Sequence, residues 1–135
     1  MATLIDTSLW VDFARLRSPP ALKRFIAPFI LDASAHLAEP IAFELLRHAT
    51  PAEDKQLRQQ FQTMPILSTP ASLWSDAAGL GQACRRKNLT ISSLDLLIAA
   101  IAHHHGAEVL TFDGDFQKIA GVSSLRVKLL TRPAP

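Results

Sequence analysis

The sequence predicts an α/β fold, with a mostly parallel five-stranded sheet flanked by helices. Three observations lead there. Short apolar strands alternate with longer stretches of helical period, an order expected of parallel βα units rather than hairpins. The strands at Thr3–Ile5 and Glu108–Thr111 both run out into aspartates, Asp6 and Asp113, with helical sequence following. Open sheets of this kind collect ligand-binding residues at the carboxyl ends of their strands. Finally, Leu96 to Ala102 is apolar on every side, so a helix there has to be buried all round.

The elements follow in order. Thr3-Leu4-Ile5 is the first strand, and Thr7 or Ser8 caps a helix through Leu9-Trp10-Val11-Asp12-Phe13. Pro19-Pro20 opens a second helix that Pro28 limits or kinks. Ala35-His36-Leu37-Ala38 is the second strand, closed by Glu39-Pro40, and Pro40 sits early in the helix Ile41 to Arg47. Thr50-Pro51-Ala52-Glu53 combines an N-cap, an N1 proline and a glutamate at N3, and Leu57, Phe61 and Met64 then form one apolar stripe. Pro65-Ile66-Leu67 is the third strand. Thr69-Pro70 starts a helix that ends in Arg85-Arg86-Lys87-Asn88, where bases suit the helix dipole and Asn tolerates a left-handed cap. That basic triplet is a solvated helix end first and a phosphate contact second. Gly106 breaks the chain after the central helix, Phe116 and Ile119 pack a short helix onto the sheet, and Leu125 to Leu129 is an edge strand. The tail from Thr131 to Pro135 is too proline-rich to carry structure.

Composition narrows the class. The 135 residues suit one domain spanning 1–135, and 48% hydrophobic with 19% charged residues excludes a disordered chain. No apolar run reaches transmembrane length, and the opening MATLIDTSLW carries an acid where a secretory signal carries bases. The lone Cys84 can form no internal disulfide and reads as a small core residue, which suits a cytoplasmic compartment.

The chemistry lies in the acids. Asp6 and Asp113 follow strands, while Glu44 and Asp95 lie near the starts of helices that follow loops. In a parallel sheet those loops open on one edge. Each acid also has a plainer reading. Asp95 can complete a capping box with Ser92, Glu44 can pair with Arg47 or His48 at helical spacing, and Asp113 can sit in an Asp-Gly surface turn. Four converging carboxylates would repel one another unless a cation neutralised them, and oxygen-only ligands favour Mg²⁺ or Mn²⁺ over zinc. His103-His104-His105, being consecutive, point in different directions and read as solvent-facing. Setting five of the twelve acids aside in such a cluster, Asp115 included, leaves seven against fourteen bases. The rest of the surface would then suit a polyanion. An acid-held ion beside a basic surface fits phosphodiester hydrolysis.

In order, spacing and length the chain resembles the PIN-domain ribonucleases, and within them the VapC toxins of toxin–antitoxin pairs. The matching pieces are Leu4 to Phe13, Phe43-Glu44-Leu45-Leu46-Arg47, Ile91 to Ala100, and Leu110 to Phe116. The resemblance implies a PIN-like three-layer fold, a Mg²⁺-dependent endoribonuclease, a homodimer, and neutralisation by a small VapB-like antitoxin. It places Asp6, Glu44, Asp95 and Asp113 at the family's acidic positions, with Ser8 supporting Asp6 and Asp115 as a further ligand. Two departures stand out: the second strand is poor in β-branched residues, and Asn88 replaces a glycine common before the central segment. A phospho-accepting receiver domain would want paired acids after the first strand and a lysine after the last. Here Thr7-Ser8 follow Asp6, and Lys128 lies within a strand. An inactive RNA- or protein-binding relative is disfavoured by the intact acids.

Overall fold

The computed structural model describes residues 1–134. Four strands, β1 (Thr3–Ile5), β2 (Ala35–His36), β3 (Glu108–Thr111) and β4 (Arg126–Leu129), form one sheet in the order β2-β1-β3-β4. Every pairing is parallel, with Leu4 opposite His36 and Val109, and Leu110 opposite Lys128. Among the described residues seven helices flank it: α1 (Thr7–Ala14), α2 (Pro20–Ile30), α3 (Glu39–Arg47), α4 (Pro51–Phe61), α5 (Leu73–Arg86), α6 (Ser93–His105) and α7 (Asp115–Ala120).

The expected five strands become four among the described residues. The segment at Ile66 makes only one parallel bridge, to Leu37, through Leu37 N–H to Pro65 O at 2.9 Å and Leu67 N–H to Leu37 O at 2.8 Å. Pro65 has no N–H to continue a ladder, and β2 itself ends at His36 because Glu39-Pro40 already begins α3.

The helix starts are mostly local chemistry. Thr50 and Glu53 form the capping box, each side chain accepting the other's backbone N–H. Ser92 caps α6, with Asp95 N–H donating to its Oγ at 3.2 Å. Asn88 adopts φ 58° and Gly106 φ 63°, the left-handed conformation that an amide or a missing Cβ tolerates. Three expected boundaries move. Asp6, not Thr7 or Ser8, is the N-cap of α1, because its extended backbone lets its carboxylate accept from Ser8 N–H. α5 begins at Leu73 rather than near Pro70, since Thr69 Oγ1 is turned to Glu39 Oε1 at 3.3 Å instead of capping. α2 runs through Pro28 to Ile30.

The core is centred on Ile98–Ala102 of α6, packed with Leu4, Ile5, Val109 and Leu110 of the sheet. Trp10 is fully buried and meets Phe61 edge-to-face at 5.4 Å. α5 approaches α6 closely at Gly81, where an added Cβ would lie 3.2 Å from Leu96 Cδ1. Cys84 is buried in this core, and Phe116 and Ile119 seat α7 as expected. The tail departs from expectation: Pro135 lies outside the described residues, but Arg132 is held by Asp12. No helix among the described residues is long and apolar enough to cross a membrane.

Candidate metal centre

Parallel pairing of β1 with β3 brings two distant stretches of chain together at the carboxyl edge of the sheet. Asp6 leaves β1, and its N–H donates to Leu110 O at 3.0 Å. The residue is 3% exposed. Three donors converge on its Oδ2: Thr111 Oγ1 at 2.7 Å, Ser8 Oγ at 2.8 Å and Ser8 N–H at 3.3 Å. Both hydroxyls accept in turn, Thr111 Oγ1 from Asp113 N–H at 2.8 Å and Ser8 Oγ from Phe112 N–H at 3.0 Å. Burial raises the Asp6 pKa, and these hydrogen bonds oppose the rise.

Asp113 therefore hangs from the same network that holds Asp6. Its Oδ1 accepts from Asp115 N–H at 2.9 Å, closing the turn that carries both acids into α7. Asp95 reaches this edge from the first turn of α6. One carboxylate oxygen each from Asp95, Asp113 and Asp115 lie within 4.8 Å of one another. Three carboxylate oxygens with no nitrogen or sulfur donor among them form a set whose chemistry suits a hard cation such as Mg²⁺.

The electrostatics agree. The Asp95 pKa is pushed up to about 6, first by loss of solvation, then by the charges of Asp6, Asp113 and Glu44; a hydrogen bond from Ser92 pulls the other way. Among the described residues Asp95 makes no ion pair, and the return half of the Ser92 capping box is not formed.

The expected site residues thus divide. Asp95 and Asp113 come together, joined by Asp115, whose Oδ1 also meets Lys118 Nζ at 3.2 Å. Asp6 and Glu44 stay outside the oxygen triplet but close enough for their charges to act on Asp95. Glu44 makes no ion pair with Arg47, whose guanidinium lies over the Phe43 ring at 5.8 Å. It is half-buried and lines a 260 Å³ cleft between α1, α3 and α4. Ser8 supports Asp6 as expected. The histidine run is exposed, though His103 meets Ser124 Oγ and His105 meets Ser68 O, each at 2.7 Å.

Thr111 has a part here that its place in an apolar strand does not announce. Its two-residue spacing from Asp113 is the one sequence signal, since a threonine hydroxyl commonly accepts a backbone N–H two residues on. Thr111→Val preserves shape but strands the Asp113 N–H and removes a donor from Asp6. It is expected to cost about 1–3 kcal/mol in urea denaturation at neutral pH; an unchanged midpoint would show that the network carries no stability.

Relatives of the chain agree with this architecture. The family model described as PIN domain matches residues 3–122. VapC ribonuclease Mb1587 of Mycobacterium bovis and Ribonuclease VapC11 of Mycobacterium tuberculosis are each 34% identical over 128 residues, spanning 91% of this chain and 95% of theirs. Among solved structures, VapBC2 from Rickettsia felis bound to a DNA fragment from their promoter superposes with a TM-score of 0.77 at 16% identity, over 97% of this chain and 100% of that one. VapC20 of Mycobacterium tuberculosis, described as a sarcin-ricin loop cleaving toxin, gives 0.69 at 19% identity, over 93% and 99%. At these identities the structures speak for the fold. The chain belongs to the PIN domain family, and its near-full-length relatives are VapC ribonucleases.

Proposed function

We propose that this protein is a metal-dependent endoribonuclease acting as the toxin of a toxin–antitoxin pair, the chain forming one PIN domain. The observation that carries the reading is the oxygen triplet of Asp95, Asp113 and Asp115, where burial first and then the charges of Asp6, Asp113 and Glu44 raise the Asp95 pKa. The relatives' names supply the substrate class.

In this reading Asp95, Asp113 and Asp115 hold Mg²⁺ or Mn²⁺, and Asp6 shapes the centre from beneath through its charge and through Thr111 and Ser8. A bound ion supplies Lewis acidity toward the phosphoryl oxygen and lowers the pKa of water. Glu44, outside the triplet but near enough for its charge to act on Asp95, would orient the attacking water and accept its proton. Fourteen bases against twelve acids, five of them drawn into this edge, leave a surface suited to a polyanionic backbone.

The test is cleavage of a mixed RNA pool by the purified chain with Mg²⁺, with Mn²⁺ and in excess EDTA. Cleavage is expected with either ion and is lost in EDTA. Undiminished cleavage in EDTA overturns the metal reading, and no cleavage under any condition favours an inactive binding module.

A VapB-like antitoxin, a homodimer and a cytoplasmic location complete the proposal. Phe43 and Trp74, 60% and 74% exposed, offer apolar area to a second copy. Light scattering at tens of micromolar reads the dimer directly, and a monomer there removes it.

A further inference from the structure

We propose that Arg132 is a positioning residue for the acidic centre, a clamp from the carboxyl-terminal tail that holds the Phe112–Asp115 turn against α1, a role that rests on the ion-binding reading of Asp95, Asp113 and Asp115. The tail leaves β4 alongside the end of β3, with Leu130 N–H donating to Thr111 O at 2.8 Å. Two residues on, Arg132 Nε donates to Asp12 Oδ2 at 2.7 Å, and its guanidinium lies 4.6 Å from the centroid of the Phe112 ring. The Asp12 side chain is only 14% exposed, so this pair is better shielded than an ordinary surface ion pair.

Phe112 is the residue through which the clamp acts. Its ring also stacks on Phe25 of α2, at 6.3 Å and 23°, and its N–H donates to Ser8 Oγ at 3.0 Å. It immediately precedes Asp113, which in turn holds the Asp115 N–H at 2.9 Å. Movement of Phe112 therefore carries two of the three proposed ligands with it. A planar guanidinium serves both Asp12 and the aromatic face, whereas a lysine serves the carboxylate far better than the ring.

The sign of the effect separates this role from simple charge. Arg132 is a cation near a cation site, so its through-space field opposes ion binding and its removal would tighten binding. Positioning predicts the reverse.

The experiment measures Mn²⁺ binding alone, by calorimetry and by the spin-resonance signal of the free ion, on the full-length wild type, R132A and R132K. R132A is expected to bind Mn²⁺ about tenfold more weakly. R132K is expected to recover the melting temperature in EDTA but less than half of the lost affinity. Should R132A fail to fold, R132K is read directly against the wild type, and weaker Mn²⁺ binding at an unchanged melting temperature is expected. Equal or tighter binding by R132A, with the wild type binding normally, overturns the clamp and leaves the ion site standing. Full recovery of affinity by R132K overturns the contact through Phe112. A wild type that binds no Mn²⁺ overturns the ion-binding reading and the clamp with it.

Discussion

Asp95→Asn is expected to lower RNA cleavage by at least about a hundredfold, equivalent to about 2.7 kcal/mol of transition-state stabilisation, while leaving the circular dichroism spectrum native. The change removes one of three carboxylates that converge within 4.8 Å and keeps the side chain's size. The backbone N–H that donates to Ser92 Oγ is untouched, so the start of α6 survives. Asp6→Asn should be similarly inactive for a different reason. The amide that replaces the carboxylate can still accept from Thr111 and Ser8, but it no longer contributes charge beneath the centre. Full activity in either purified variant would exclude the acids from the chemistry.

The same Asp95→Asn protein is expected to be more stable than the wild type when both are free of metal. Ionising Asp95 in the folded chain works against lost solvation and the charges of Asp6, Asp113 and Glu44, as its pKa of about 6 against an ordinary 3.8 records. Taken at face value that difference is about 3 kcal/mol. Asp95 is only partly buried, and screening brings the expected cost at neutral pH to about 1–2 kcal/mol, or about 3–8 °C in melting temperature. Because the folded-state pKa is raised, the native chain binds the extra proton between about pH 4 and pH 6. The contribution of this group is therefore most favourable below that window and is lost as the pH rises through it. In EDTA the wild type should fall behind Asp95→Asn across that interval and stay behind above it. Saturating Mg²⁺ at a hundredfold excess over its Kd should stabilise the wild type by about 2.7 kcal/mol and the variant much less, narrowing or reversing the order. Thermal melts of the two proteins across pH, with EDTA and with Mg²⁺, check both parts. A variant less stable than wild type in EDTA, with an equal Mg²⁺ shift, would reduce Asp95 to a helix-capping acid.

What the sequence determined by itself is whatever depends on neighbours in the chain. The Thr50–Glu53 capping box, the Ser92 N-cap, the left-handed cap at Asn88 and the break at Gly106 are each decided within three or four residues, and all are found as read. The apolar run Leu96–Ala102 likewise had to become the buried helix at the centre, although Leu96 and Leu97 stay half-buried near its start. Asp95 and Asp113 stood out by their places in a first turn and after an apolar strand, and the fold brings their carboxylates near one another.

Only the tertiary structure could decide which of those acids come together and what holds them. Asp6 and Thr111 are 105 residues apart, yet the bond between them fixes the position of Asp113, and it exists because β1 pairs with β3. Asp115 joins Asp95 and Asp113 at the turn into α7, which a side-chain hydrogen bond closes, whereas Asp6, with three donors on its Oδ2, stays outside the triplet. The strand expected at Pro65–Leu67 shrank to one bridge for want of a partner long enough to pair with. The tail that looked too proline-rich to matter is tied down by Arg132 to Asp12, 120 residues away. Hydrophobic period and capping chemistry are written locally, but hydrogen bonds and ion pairs across the sheet edge are chosen by strand order, which no single stretch of this chain encodes.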